Sequence, residues 1–328
     1  MSVATASRAI SPSGHAVSHA LRQRVLQAAA ELDYAGDAAA RDVRASRSRV
    51  IGVVVADVLD SFTAFMRAID DAAHENGWLI TVGNARREPE REFRLIREFR
   101  AQRVGALILA GSGFDDVDYV ERLEAELEPY RKARGRIVLT GRRDLRDNLV
   151  VPDNVGGAKR ATEHLLDLGH RRIGVLAGPP LLAGSNDRLD GVRDALAERG
   201  LTLDPVLVEH TDGRRSGGER VIELLRRAPD LTAVFALTDD AALGALDVLH
   251  ENGIRVPSDI SLVGFDDSPF ASAAVPSLTT VRSNMTLMAR RAVEVAIGNG
   301  AAPAVTEVVP TELVVRASTA RRPRDRRG

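Results

Sequence analysis

Residues 50–83, VIGVVVADVLDSFTAFMRAIDDAAHENGWLITVG, hold two apolar β-branched runs on either side of a helix-length segment. The runs VIGVVV (50–55) and WLITVG (78–83) are continuous rather than alternating, as strands buried on both faces are. The segment 62–76 between them has the length of a helix. A strand, a helix and a second such strand form the unit from which helix-covered parallel sheets are wound.

The same alternation continues outward. Further runs are VGALILA (104–110), RIVLT (136–140), RRIGVLAG (171–178), TAVFALT (232–238) and ISLVGF (260–265), with helical segments at 89–101, 155–169, 186–199, 215–227 and 240–252. HENGW, LLDLGH, LAERGL and LHENGI each place Gly just past the last periodic residue, where a left-handed helix end is easiest. The units are too many for one compact sheet, and the polar stretch RRDLRDN (142–148) marks a break. The expected fold is α/β, with two doubly wound parallel-sheet lobes behind a small all-α N-terminal segment.

Composition narrows the function classes. The 328 residues are 44% hydrophobic and 28% charged with a net charge of -1, ordinary for a soluble globular protein. The charge is uneven: residues 1–49 carry seven arginines and four acids, a surplus of three positive charges on an acidic body. A basic head of this kind suits contact with phosphates, and a solvated arginine-rich surface fits the charge equally well. With no cysteine, disulfides and thiolate metal sites are excluded. No apolar run has the length of a membrane span, and the small, polar N-terminus carries no secretion signal. The expected location is the cytoplasm.

The first 49 residues read differently. A short helical segment surrounds VATASRAIS, a turn follows at SPSGHA, and a longer helix runs from about Ser18, a candidate N-cap, through Leu21, Val25, Ala28, Ala29 and Leu32. DAAARDVR (37–44) is a third helical patch leading into the first strand. Two helices joined by a tight turn resemble part of a helix-turn-helix, although any helical hairpin has this spacing.

Taken together, SVATASRAIS, VLQAAAELDY, AAARDVRASRSRVIGVVV, HLLDLGHRRIGVLAGP, TDDAALGALDVL and ISLVGFDDSPFASAAVPSLTTVR resemble the lactose/galactose repressor (LacI/GalR) family of bacterial transcription regulators. The likeness covers essentially residues 2–318 in the family's order. It implies a partial helix-turn-helix and hinge helix over 1–49. It further implies an N-terminal lobe from 50–152 and 282–305, a C-terminal lobe from 153–281 and 306–318, and a disordered basic tail over 319–328. Within the head, Val3, Ala4 and Thr5 would open the recognition helix in the major groove, with Ser7 and Arg8 one turn on. Val43 stands where the family wedges a leucine into the minor groove, and Asp37 departs from its usual Pro-Asn. The family's first helix is missing before SVATASRAIS, and a misassigned start at a valine codon would account for this.

For the body, the resemblance implies a sugar-type effector held between the lobes. Vicinal hydroxyls suit carboxylates and the planar fork of arginine. Arg188 would be the guanidinium clamp, Asp266 the carboxylate across from it, Thr238 a hydroxyl where the family has Asn, and Phe62 an aromatic cover. Ser112 and Asp153 are further candidates, and Asp212 replaces a stacking aromatic of some relatives. Asp239 and Asp267 read as helix caps, and His164 and His170 as packing residues. No catalytic or metal constellation and no cofactor motif is found, so no enzyme, cofactor or metal is expected. The expectation is a DNA-binding regulator, a repressor working as a homodimer on palindromic operator DNA under a carbohydrate effector. The alternative is a solute-binding protein or effector sensor without competent DNA binding.

Overall fold

A computed structural model describes residues 6, 9, 18–31, 48–57, 62–298 and 303–322. The chain divides into two units, Met1–Arg49 and Val50–Gly328. In the first, helix α1 (His19–Glu31) follows Ser18, whose carbonyl accepts the Arg22 N–H at 3.0 Å. Val25 is its buried residue of the periodic set. Val3, Ala4, Thr5, Ser7, Arg8, Asp37 and Val43 lie outside the described residues.

The second unit contains two six-stranded sheets. The first has β1 (Val50–Val55), β2 (Leu79–Asn84), β3 (Ala106–Ala110), β4 (Arg136–Leu139), β5 (Asn148–Pro152) and β11 (Thr306–Val309), in the order β11-β5-β4-β3-β1-β2. All of its pairings are parallel. The second has β6 (Ile173–Ala177), β7 (Val208–His210), β8 (Ala233–Ala236), β9 (Ser261–Asp266), β10 (Thr279–Arg282) and β12 (Glu312–Val314), in the order β12-β10-β9-β8-β6-β7. Among the described residues, only its β10–β12 pairing is antiparallel.

Strand β1 shows why the apolar runs are continuous. Ile51, Val53 and Val55 enter the core formed with Phe65, Ile69 and Ala292, while Val54 faces the opposite one with Phe93, Phe99 and Leu123. In β8, Ala233 and Phe235 join one core and Val234 and Ala236 the other. Each fully buried large side chain contributes about 1.5–3 kcal/mol, so apolar residues on both faces are favoured.

Helices α2 (Phe62–Glu75), α3 (Pro89–Ala101), α4 (Val117–Lys132) and α10 (Met285–Ile297) cover the first sheet. Helices α5 (Asn154–Asp167), α6 (Ala183–Ala197), α7 (Arg214–Arg227) and α8 (Asp239–Glu251) cover the second, with a short α9 (Pro269–Ala273) beyond β9. The left-handed helix ends expected from the sequence include Gly169 (φ +93°) and Gly253 (φ +72°). No helix among the described residues is long and apolar enough to cross a membrane.

Three expectations are corrected. The stretch 142–148 does not separate the lobes, because β4 and β5 on either side of it belong to one sheet. Thr306–Val309 pairs with Asn148–Pro152 and so completes the first sheet rather than the C-terminal lobe. The tail is docked as far as Arg322, whose N–H donates to the Leu168 carbonyl at 2.9 Å, and the Ala320 N–H donates to Ser261 Oγ at 3.0 Å. His170, buried, bonds Thr232 and the Ala320 carbonyl there, and His164 bonds Thr319. Residues 323–328 lie outside the described set.

The chain crosses between the lobes after β5, after β10 and between β11 and β12. A separate contact also joins them. Gly113 to Asp115 lie along Leu181 to Ala183, with Asp115 N–H to Leu181 O at 2.7 Å and Ala183 N–H to Gly113 O at 3.1 Å. Arg142 of the first lobe donates to Asp187 Oδ1 of the second at 2.8 Å while holding Asp115 at 2.9 Å.

Candidate functional site: the cleft between the lobes

The C-terminal ends of the strands from both sheets meet across one cleft, the position where open parallel sheets bind ligands. Ala56 after β1, Gly111 and Ser112 after β3, and Thr140 and Gly141 after β4 line it from the first lobe. Gly178, Thr211, Leu237, Thr238 and Asp266 line it from the second, and the cavity volume is about 120 Å³. The lobes pack tightly here. A Cβ on Gly184 would lie 2.3 Å from Ser112 Oγ, so glycine permits the close approach.

Arg188 occupies the centre of the second-lobe wall. Its guanidinium carbon lies 3.7 Å from the centroid of the Phe265 ring. Its Nε donates to Asn154 Oδ1 at 2.9 Å, its Nη1 to the Leu237 carbonyl at 2.5 Å, and its Nη2 to Asp266 Oδ1 at 3.0 Å. Helix α6, the end of β8 and the end of β9 are thereby joined through one side chain. Burial pushes the Asp266 carboxyl above the usual carboxylate range, and the Arg188 guanidinium opposes that rise. The pair is 12% and 9% exposed, so it is only weakly screened by solvent.

Of the sequence-predicted effector residues, Ser112, Arg188, Thr238 and Asp266 share the cleft lining. Asp153 does not line it. Its carboxylate accepts the Gly156 N–H at 2.9 Å as the N-cap of α5 and pairs with Arg160, while its neighbours Pro152 and Asn154 reach the cleft. Phe62 begins α2, and its side chain lies outside the described set. Thr238 is also the N-cap of α8, accepting the Ala241 N–H at 3.2 Å. The capping role expected of Asp239 therefore falls one residue earlier.

The acidic doublets diverge. Asp239 turns into the core, where it accepts the Ser268 N–H at 2.6 Å and the Thr280 hydroxyl at 2.5 Å, while Asp240 lines the cleft. Burial, with the neighbouring Asp266 charge second, pushes the Asp239 carboxyl up to about 7. Asp267 pairs with Arg282 and Arg316, and Ser268 is the N-cap of α9 in its place.

Sequence reasoning missed Arg87, Thr140, Asn154, Thr211 and Asp240 among the lining residues. It also missed a buried support beneath Ser112. Arg143 donates to the Gly111 carbonyl at 2.7 Å and to Glu92 Oε1 at 3.0 Å, and the Tyr119 hydroxyl donates to Glu92 Oε2 at 2.8 Å. A fully satisfied buried network of this kind rigidifies the loop it holds. Thr140 follows a strand already visible as an apolar run, whereas nothing local marks Thr211, after the three-residue β7, or Arg87 within the charged stretch NARREPERE.

The cleft is a two-walled, largely apolar site with a preset guanidinium–carboxylate pair and several short polar groups on its walls. Similarity to known proteins agrees with this architecture. Residues 162–319 match a periplasmic binding protein-like domain, and residues 1–37 match the bacterial regulatory proteins of the lacI family. The chain is 36% identical to the HTH-type transcriptional regulator GalR of Escherichia coli (strain K12), over 97% of this chain and 92% of that one. Among solved structures it is similar to a transcriptional regulator CelR–cellobiose complex, with a TM-score of 0.74, 31% identity and coverage of 95% and 94%. It is also similar to the Lac repressor dimer bound to operator and an anti-inducer, with a TM-score of 0.83, 27% identity and coverage of 97% and 95%. A two-lobed binding body, a matching head segment and relatives aligned along nearly their whole length lead to one assignment: the chain belongs to the lacI family of bacterial regulatory proteins.

Proposed function

We propose that this chain is a transcriptional repressor whose hold on palindromic operator DNA is set by a small carbohydrate bound between its lobes. The observation that carries the reading is the Arg188–Asp266 pair, held by three protein contacts at the junction of α6, β8 and β9. Asp266 Oδ2 makes no hydrogen bond among the described residues, which leaves an acceptor for a sugar hydroxyl. Ser112, Thr238 and Asn154 add short polar groups around it. The CelR structure carries cellobiose, and the Lac repressor dimer is bound to operator, which supports a sugar effector and DNA for this chain by analogy.

A homodimer is supported by the same likeness and by the two-fold symmetry of palindromic sites. The second lobe offers a matching apolar face. Phe270 and Val275 are exposed, Val275 at 91%, beside a groove lined by Leu243 and Leu246. Ligand binding between lobes already joined by Arg142 and the Gly113–Ala183 contact would alter their spacing, and with it the spacing of two DNA-reading heads.

Thermal unfolding of the full chain against a panel of monosaccharides and disaccharides tests the reading. At least one sugar is expected to raise the unfolding temperature, and Arg188→Ala is expected to abolish that rise. A sugar whose effect survives Arg188→Ala would place the ligand elsewhere.

A further inference from the structure

Arg87 lies on the first-lobe wall, in the loop between β2 and α3. Its backbone is bent into the left-handed region at φ 55°, and its N–H donates to the Ala56 carbonyl at 2.6 Å. The residue is thus pinned against the end of β1. Its half-buried side chain lines both the main cleft and a small adjoining cavity beside Ser112, and it has no ion pair or side-chain hydrogen bond among the described residues.

The carboxylates of the cleft leave it unmatched. Asp266 is joined to Arg188, Asp57 and Asp240 each have an interaction of their own, and Asp212 is exposed. A guanidinium that loses water without gaining an anion is costly, and the cost rises once a ligand fills the cleft. Carboxylate and phosphate oxygens match its planar fork in pairs. The second-lobe wall, carrying Asp240 and Asp266, would repel an anion and favour hydroxyls.

We propose that the ligand of this cleft carries an acid group, a carboxylate or a phosphate, on its hydroxylated frame, and that Arg87 receives it. This rests on the sugar-effector reading above and makes it more specific. The ligand would lie with its hydroxyls toward Asp266 and its acid group toward the first lobe.

Calorimetric titration of the full chain with matched sets, each a hexose with its uronic acid and its 6-phosphate, tests the proposal. One acid is expected to bind roughly 10- to 100-fold more tightly than its neutral parent, the scale of a hydrogen bond to a charged group. That advantage should shrink with added salt. Arg87→Gln should bring the acid down to the level of the parent, and Arg87→Lys should retain part of the advantage. An unchanged unfolding temperature of ligand-free Arg87→Gln ensures that the loss reports on binding. Preference for the uronate or for the phosphate identifies which acid Arg87 receives. Neutral hexoses binding as well as their acids, or an acid advantage that survives Arg87→Gln, would overturn the acid group and leave the sugar reading standing. Binding by no member of any set would count against both.

Discussion

On the second-lobe wall of the cleft Arg188 commits donors to Asn154, Leu237 and Asp266, whereas on the first-lobe wall Arg87 has no side-chain partner among the described residues. Both are guanidiniums on the rim of a parallel sheet, yet their situations are opposite. Arg188 is preorganised: it rests on Phe265, and its partners come from three elements of one lobe. Such a group fixes the orientation of a ligand without reorganising, because its geometry is already set by the fold. Arg87 is positioned only by its backbone, so its charge stays open to the ligand. On the proposed reading, one wall orients the ligand and the other discriminates.

The comparison is tested most strongly by breaking the preorganised side. Asp266→Ala leaves Arg188 buried beside no carboxylate, and chemical denaturation is expected to show a loss of about 3–5 kcal/mol, the scale for removing one partner of a buried pair. A loss below about 1 kcal/mol would mean that this pair behaves as a surface contact, and the contrast with Arg87 would collapse.

A pH-dependent effect of at most comparable size is expected behind the same wall, at Asp239. Its carboxyl is raised to about 7 in the fold from an ordinary value of 3.8. The folded state therefore binds this proton more tightly than the unfolded chain does. The resulting stability is fully present below about pH 4 and is lost as the pH rises through about 7, a change of up to roughly 4 kcal/mol. Stability measured across that window should fall less steeply in Asp239→Asn than in the unaltered chain. Parallel slopes would show that the carboxyl ionises in the fold as it does in water.

These contrasts also explain how far the sequence could be read. Strands buried on both faces, such as β1, β3, β6 and β8, stand out because apolar side chains are needed at every position. β5, with Pro152 and half-exposed positions, and β7, three residues long, carry no such signal. Nor does Thr306–Val309, whose membership of the first sheet depends on a partner more than 150 residues away. Helix α4 was hidden by Pro129 and a charged surface. Arg188 and Asp266 were legible through family resemblance, because each stands in a motif tied to a strand end or helix start. Asp153 stood beside a lining residue and proved to be a cap, a one-residue distinction that only backbone direction decides. Arg87 is one arginine among several in NARREPERE, and tertiary folding alone singles it out.

The central claim is that occupation of the cleft controls a grip on DNA. Fluorescence anisotropy of a labelled palindromic duplex, titrated with the full chain with and without the tightest-binding sugar or sugar acid, tests it most directly. The account predicts salt-dependent binding that is stronger for the palindrome than for a single half-site. It also predicts a ligand-induced change in affinity of at least about fivefold, present in the unaltered chain and absent in Arg188→Ala. A ligand that saturates the cleft while leaving the affinity of the unaltered chain for the duplex unchanged would contradict it.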